Sequence, residues 1–195
     1  MKNKTLIISR YDEDTNWLQK ITSWNIVVFD KGTTSDENFP NNRLPNVGRE
    51  SETYLNYIVN NYDNLNEYTG FLQGRPFDHF HFNDWEANIS NIISYINNIN
   101  ITQDFMFFGE HDPHTCDQTG VPHHPGLDLQ GYANLINVNI PHILSFRAGA
   151  QFLVSREKIL SKSRDFYNNI LETTNKEVDP KACYHLERLW KYIFE

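Results

Sequence analysis

Short apolar runs alternate along the chain with longer stretches in which apolar residues return every three or four positions. Residues 5–9 form an apolar run ending in Arg10, Tyr11, Asp12, Glu13 and Asp14, which predicts a buried strand opening into an acidic loop. Residues 15–21 place Trp17, Leu18 and Ile21 on one face of a short helix, and residues 25–29 read as a second strand, stopped by Asp30, Lys31 and Gly32. A loop rich in Asn, Asp, Pro and Thr follows. Val47, Tyr54, Leu55, Ile58, Val59 and Tyr62 then mark the first strong helix, with Pro45 and Asn46 as start signals. Residues 68–73 predict a third strand. Beyond a loop over 74–83, Trp85, Ile89, Ile92, Ile93, Ile96 and Ile99 share a helical face, and Asn83 and Glu86 have capping-box spacing. Residues 104–109 form an aromatic fourth strand, whereas 110–131 turn to His, Pro, Gly and Asp and predict a long irregular segment. A strand around 151–154, two helical pieces and a last helix with Leu186, Leu189, Trp190 and Ile193 on one side complete the pattern.

Strands alternating with helices predict an α/β fold, one domain over residues 1–195 with a mainly parallel central sheet flanked by helices. A length of 195 residues is enough to bury a proper core, and a hydrophobic share of 39% separates the chain from disordered ones. The formal net charge of −8 argues against a general nucleic-acid binder, although a few local arginines can still hold a small phosphate-bearing ligand. No apolar run approaches a membrane span, and Leu6-Ile7-Ile8 is too short for a signal peptide; peripheral membrane association would leave no clear trace in this pattern. Cys116 and Cys183 show neither metal-type spacing nor a disulfide framework, so a cytoplasmic, reduced protein is expected.

Four groups of residues have the types that chemistry needs. The turn Asn46-Val47-Gly48-Arg49-Glu50 opens a helix whose free N–H groups and dipole suit an anion, with Gly48 permitting close approach and Arg49 a bidentate contact. It equally suits a plain capped helix start. Gln73-Gly74-Arg75-Pro76-Phe77-Asp78-His79, with His81 beyond, leaves a strand and offers Asp78 and His79 as ligands for a divalent metal, or as an ordinary surface turn. Glu110 and Asp112 have the spacing of a cation clamp, and six of the eight histidines lie between His79 and His124, which opens a metal-dependent hydrolase using 109–124 as an alternative to a polar loop. Finally, in Arg147-Ala148-Gly149-Ala150-Gln151, Gly149 and Ala150 leave room for a ligand against the backbone. Glu187, beside the apolar face of the last helix, suits a general base if desolvated and a plain surface group if solvated. No Gly-x-Ser-x-Gly elbow, Walker loop or Rossmann glycine fingerprint is present.

Several of these segments together resemble a family known mainly as a domain of unknown function, found in fungi, bacteria and large viruses. The matching pieces are Ser9-Arg10-Tyr11-Asp12-Glu13-Asp14 with Trp17, then Asp30-Lys31-Gly32, then Leu44-Pro45-Asn46-Val47-Gly48-Arg49-Glu50-Ser51 with Tyr54-Leu55. They continue with Phe71-Leu72-Gln73-Gly74, Pro76-Phe77-Asp78-His79, Gly149-Ala150-Gln151-Phe152-Leu153-Val154-Ser155-Arg156 and Glu187-Arg188-Leu189-Trp190. The layout of that family is similar to GT-A glycosyltransferases, including the small capsid-decorating enzymes of chlorella viruses.

That resemblance implies a GT-A-like transfer of a sugar from a nucleotide-diphosphate sugar such as a UDP-sugar to a glycan acceptor, assisted by Mn²⁺ or Mg²⁺. Ser9, Arg10, Tyr11 and Asp12 would meet the nucleotide, and the anion site read above from Asn46, Gly48 and Arg49, together with Arg75, is counted with them as donor-binding. Asp78 and His79 would meet the metal, Gly149, Ala150 and Gln151 the sugar, and Glu187 the acceptor hydroxyl. Gln73-Gly74-Arg75 stands where an Asp-x-Asp metal motif would fall, so the clamp is Asp78, or Glu110 with Asp112, or the site is metal-free with Arg75 neutralising phosphate. A non-catalytic carbohydrate-binding protein on the same fold is the remaining alternative.

Overall fold

The computed structural model describes residues 3–39, 42–80, 88–109 and 112–195. Strands β1 (Lys4–Arg10), β2 (Asn25–Asp30) and β4 (Tyr68–Gln73) fall where the apolar runs predict them. β1 lies between the other two and is parallel to both, with Ser9 opposite Phe29 on one side and Gln73 on the other. A two-residue strand, β3 (Asn42–Arg43), adds to β2 inside the segment expected to be loop. Among the described residues one sheet runs β3-β2-β1-β4-β8-β5, where β5 is Phe105–Phe107 and β8 is Phe152–Ser155. β8 is antiparallel to both neighbours, so the sheet is mixed but mostly parallel.

Period-two alternation sends side chains to opposite faces of each strand. Ile7, Phe71, Phe152 and Val154 enter one core, with α1 (Arg49–Asn61), α5 (Arg164–Leu171) and α6 (Lys181–Phe194) packed on that face. Leu6, Ile8, Leu72 and Leu153 enter the other, with Trp17, Trp24 and α2 (Ile89–Asn98). Both cores are strongly aromatic; Phe71 and Phe152, 5.1 Å apart, pack against Tyr54, and Phe152 also packs against Trp190.

Several expectations are refined. The helix expected over 15–21 is a 3-10 turn over Asn16–Lys20. α2 is capped by Asn88, whose side chain accepts the Asn91 N–H. The expected cap of Asn83 and Glu86, and Trp85, His81, Glu110 and His111, lie outside the described residues. The segment 110–131 is not wholly irregular: β6 (His114–Asp117) pairs antiparallel with β7 (Ile143–Phe146) in a separate ribbon, followed by α3 (Leu129–Leu135). Its four-residue strand alternates too little for the pattern to register. α4 (Arg156–Leu160) follows β8 directly, with Ser155 as its cap. Among the described residues no helix is long and apolar enough to cross a membrane.

Candidate functional site

The chain leaves β1 to one side for β2 and β3 and returns on its other side as β4. In open α/β sheets a crevice forms outside the carboxyl ends of two such strands, and ligands bind there. A cleft of about 410 Å³ lies at this place, lined by Ser9 and Arg10 from β1, Gln73 from β4, and Asn46, Arg49 and Glu50 from the start of α1. Tyr11, Glu13 and Lys31 extend one wall, and Val178 and Asp179, from the segment between α5 and α6, close the other.

The turn into α1 is held from beneath. Lys31 is buried, and its ammonium donates to the Val47 and Arg49 carbonyls, each at 2.6 Å, and meets Glu52 at 2.7 Å. Burial pulls the Lys31 pKa down, and the Glu52 carboxylate opposes that pull. All three ammonium protons therefore have acceptors, as a buried ammonium requires. Gly48 (φ 64°) and Arg49 (φ 48°) are both left-handed. A Cβ on Gly48 would stand 2.4 Å from the Thr174 carbonyl oxygen, so only glycine fits. Its N–H donates to the Glu177 carbonyl at 2.8 Å, and its own carbonyl accepts from the Cys183 thiol. Burial, with Glu50 adding to it, pushes that thiol up to about 12, so Cys183 is an inert packing group.

The loop after β1 is also pinned. Arg10 donates to Asp30 at 2.9 Å, to the Thr34 carbonyl and hydroxyl, and to the Glu13 carbonyl. Asp12, left-handed at φ 62°, accepts four hydrogen bonds from the N–H and hydroxyl groups of Thr33 and Thr34, which hold its carboxyl well below the usual range. Asp12 thus fastens two loops together, and its lone pairs are taken. Tyr11 stays half exposed on the cleft wall. Arg49 faces solvent, bonded to Asp179 at 3.3 Å and to the Tyr184 hydroxyl at 3.0 Å.

The remaining predicted residues form a second cluster. Gly149 (φ 79°) donates its N–H to Glu187 Oε2 at 3.0 Å, and a Cβ there would stand 2.7 Å from the His79 ring. The room expected above Gly149 is thus taken by His79. Ala150 and Gln151 are buried rather than open to a ligand, and Gln151 donates to the Pro76 carbonyl at 2.9 Å, tying β8 to the 74–79 loop. Asp78 points to solvent, with Arg75 at 4.0 Å. Glu187 differs from the desolvated carboxylate that its apolar neighbours suggest: Arg188 meets Oε1 at 2.7 Å while Gly149 holds Oε2.

Burial raises the pKa of two carboxylates lining the cleft, Glu13 and Glu50, and the more deeply buried is Glu50. Its side chain is 9% exposed. Burial raises its pKa; Arg49, 3.8 Å away, and the Gln73 side chain, which hydrogen-bonds to it, oppose the rise, and Glu187 adds to it. Glu50 therefore joins the two clusters electrostatically. In the sequence, Glu50, Lys31 and Gln73 stand within the motifs without being marked as site residues. The first did carry a signal, an acid beside Arg49 in a first helical turn. Val178 and Asp179 had none, because they arrive from a segment more than a hundred residues away along the chain.

Among the described residues no three His, Cys, Asp or Glu side chains converge as a metal site. A family model with the description "Protein of unknown function (DUF3431)" matches residues 6–195. No curated protein and no solved structure matches the chain.

Proposed function

The chain belongs to this family of unknown function, and we propose that it is a GT-A-like glycosyltransferase, moving a sugar from a nucleotide-diphosphate sugar to a glycan acceptor hydroxyl. The observation that supports this best is the cleft at the β1–β4 switch point, where the loop after the first strand meets a glycine-opened helix start. A helix N-terminus with an adjacent arginine suits a diphosphate. Tyr11 offers an exposed ring on which a base or sugar face can stack. His79, Gly149 and Glu187, brought together beyond Glu50, would bound the sugar and acceptor end.

A divalent ion fits this arrangement in one form. Mg²⁺ commonly binds through one or two carboxylates plus substrate phosphates, so exposed Asp78, with His79 beside it, would hold it only together with the diphosphate. Such an ion, Mn²⁺ or Mg²⁺, would neutralise charge on the departing diphosphate. Arg49 and Arg75 offer the same neutralisation from the protein itself.

Thermal melts against a panel of nucleotide sugars, with and without Mn²⁺, test the proposal. A true donor at about a hundredfold excess over its Kd should raise the midpoint by roughly 5–10 °C, and Asp78→Ala should abolish the metal-dependent part of that rise. Stabilisation by Zn²⁺ alone, with no nucleotide response, would replace the transferase with a hydrolase. A response to free glycans only would leave a binding protein.

A further inference from the structure

Within the proposed transferase, Glu50 and Glu187, close enough to influence each other, are two candidates to take the proton of an acceptor hydroxyl, and the structure treats them differently. Glu187 has both oxygens committed to fixed donors, Arg188 and the Gly149 N–H. Those contacts tie the 149–151 segment to α6, and Glu187 is not among the residues that line the cleft. Glu50 lines the cleft itself, at the carboxyl end of β4 beside Gln73. Its nearest cation, Arg49, stands 3.8 Å off and is turned toward Asp179 and Tyr184. We infer that Glu50 is the catalytic base of this site and that Glu187 is a positioning residue. This rests on the transferase reading.

The step balances as a displacement. The acceptor O–H gives its proton to the Glu50 carboxylate while the oxygen lone pair forms the new bond to the anomeric carbon. The bond from that carbon to the diphosphate breaks, and its electron pair leaves on the diphosphate oxygen. Glu50 then returns the proton to water.

The surroundings raise the proton affinity of Glu50. Glu50 is faced by Arg49 and Tyr54 on its own helix, Gln73 on β4, Lys31 after β2, and Glu187 and Cys183 on α6. Burial and Glu187 favour its protonated form, against Arg49, and a carboxylate so raised is a stronger base once ionised.

The test compares wild type, Glu50→Gln and Glu187→Gln, using the nucleotide sugar that stabilises the wild-type protein. Release of nucleoside diphosphate to water and to simple aryl glycosides is followed across acid to alkaline pH, with donor binding measured in parallel. Glu50→Gln is expected to bind donor like wild type, to release diphosphate about 10²–10⁴-fold more slowly, and to lose the acidic limb of the rate profile. Glu187→Gln is expected to keep that limb, with the change falling mainly on KM. Near-wild-type release by Glu50→Gln with its acidic limb intact overturns the inference while leaving the transferase standing. Loss of the limb in Glu187→Gln alone transfers the role to Glu187. Absence of any nucleotide-sugar response in the wild type removes the reading and the inference together.

Discussion

At the residue scale the start of α1 is unusual because its polar side chains are inside. Glu50, Ser51, Glu52 and Thr53 are all buried, where a first helical turn normally faces water. Lys31 meets Glu52 at 2.7 Å, whereas the Arg49 guanidinium stands 3.8 Å from Glu50, and that difference has a consequence for stability. The folded pKa of Glu50 lies above its unfolded value, so the folded protein holds the proton more tightly. Its contribution is therefore complete below the ordinary carboxylate pKa and declines as pH rises through the folded value. Glutamine has no proton to lose. Glu50→Gln should melt higher than wild type at neutral pH, and the gap should close near about pH 4. Equal melting at both pH values would mean that the carboxylate is not strained by its burial. A destabilising functional carboxylate is a known cost of active sites. None of this burial was legible locally, because the residues that cover the turn, 174–183, come from the other end of the chain.

At the element scale, what the pattern revealed and what it missed separate by length and by exposure. β4 spans Tyr68–Gln73 as predicted, and α6 buries Leu186, Leu189, Trp190 and Ile193 as its periodicity requires. β6 escaped notice because two of its four residues, His114 and Thr115, face solvent. The direction of β8 was equally hidden: a strand buried on both faces has the same composition whichever way it runs. That direction matters for the site. Running antiparallel, β8 begins beside the carboxyl ends of β4 and β5, so Gly149 and Gln151 reach the 74–79 loop. Gly149→Ala should cost about 1–2 kcal/mol for its left-handed conformation, plus the displacement of His79. Made in a His79→Ala background, the same substitution should cost less, and urea unfolding of the four proteins gives the coupling. Strict additivity would show that His79 does not press on Gly149.

At the scale of the whole molecule, the sheet makes one cooperative unit of two cores. β1, β4 and β8 each send neighbouring side chains to opposite faces, as Ile7 and Ile8, Phe71 and Leu72, and Phe152 and Leu153 show. A strand cannot leave one core without stripping the other, and the cleft is anchored at the ends of two of these strands. The α/β architecture was legible because it follows from the alternation of two periodicities, whereas the cleft depends on which strand ends become neighbours. Phe152 is the natural place to test the coupling: it is fully buried and packs against Phe71, Tyr54, Phe105, Trp190 and Phe194. Phe152→Ala should cost about 3–5 kcal/mol, since the surrounding rings can close only part of the cavity. Hydrogen exchange locates where that loss is felt. In α2, which packs on the opposite face through Ile92 and Ile96, the slowest amides should lose as much protection as those of α6. Unchanged protection in α2, with loss confined to α6 and α1, would divide the protein into two independently unfolding layers and free the cleft wall at α1 to move without the sheet.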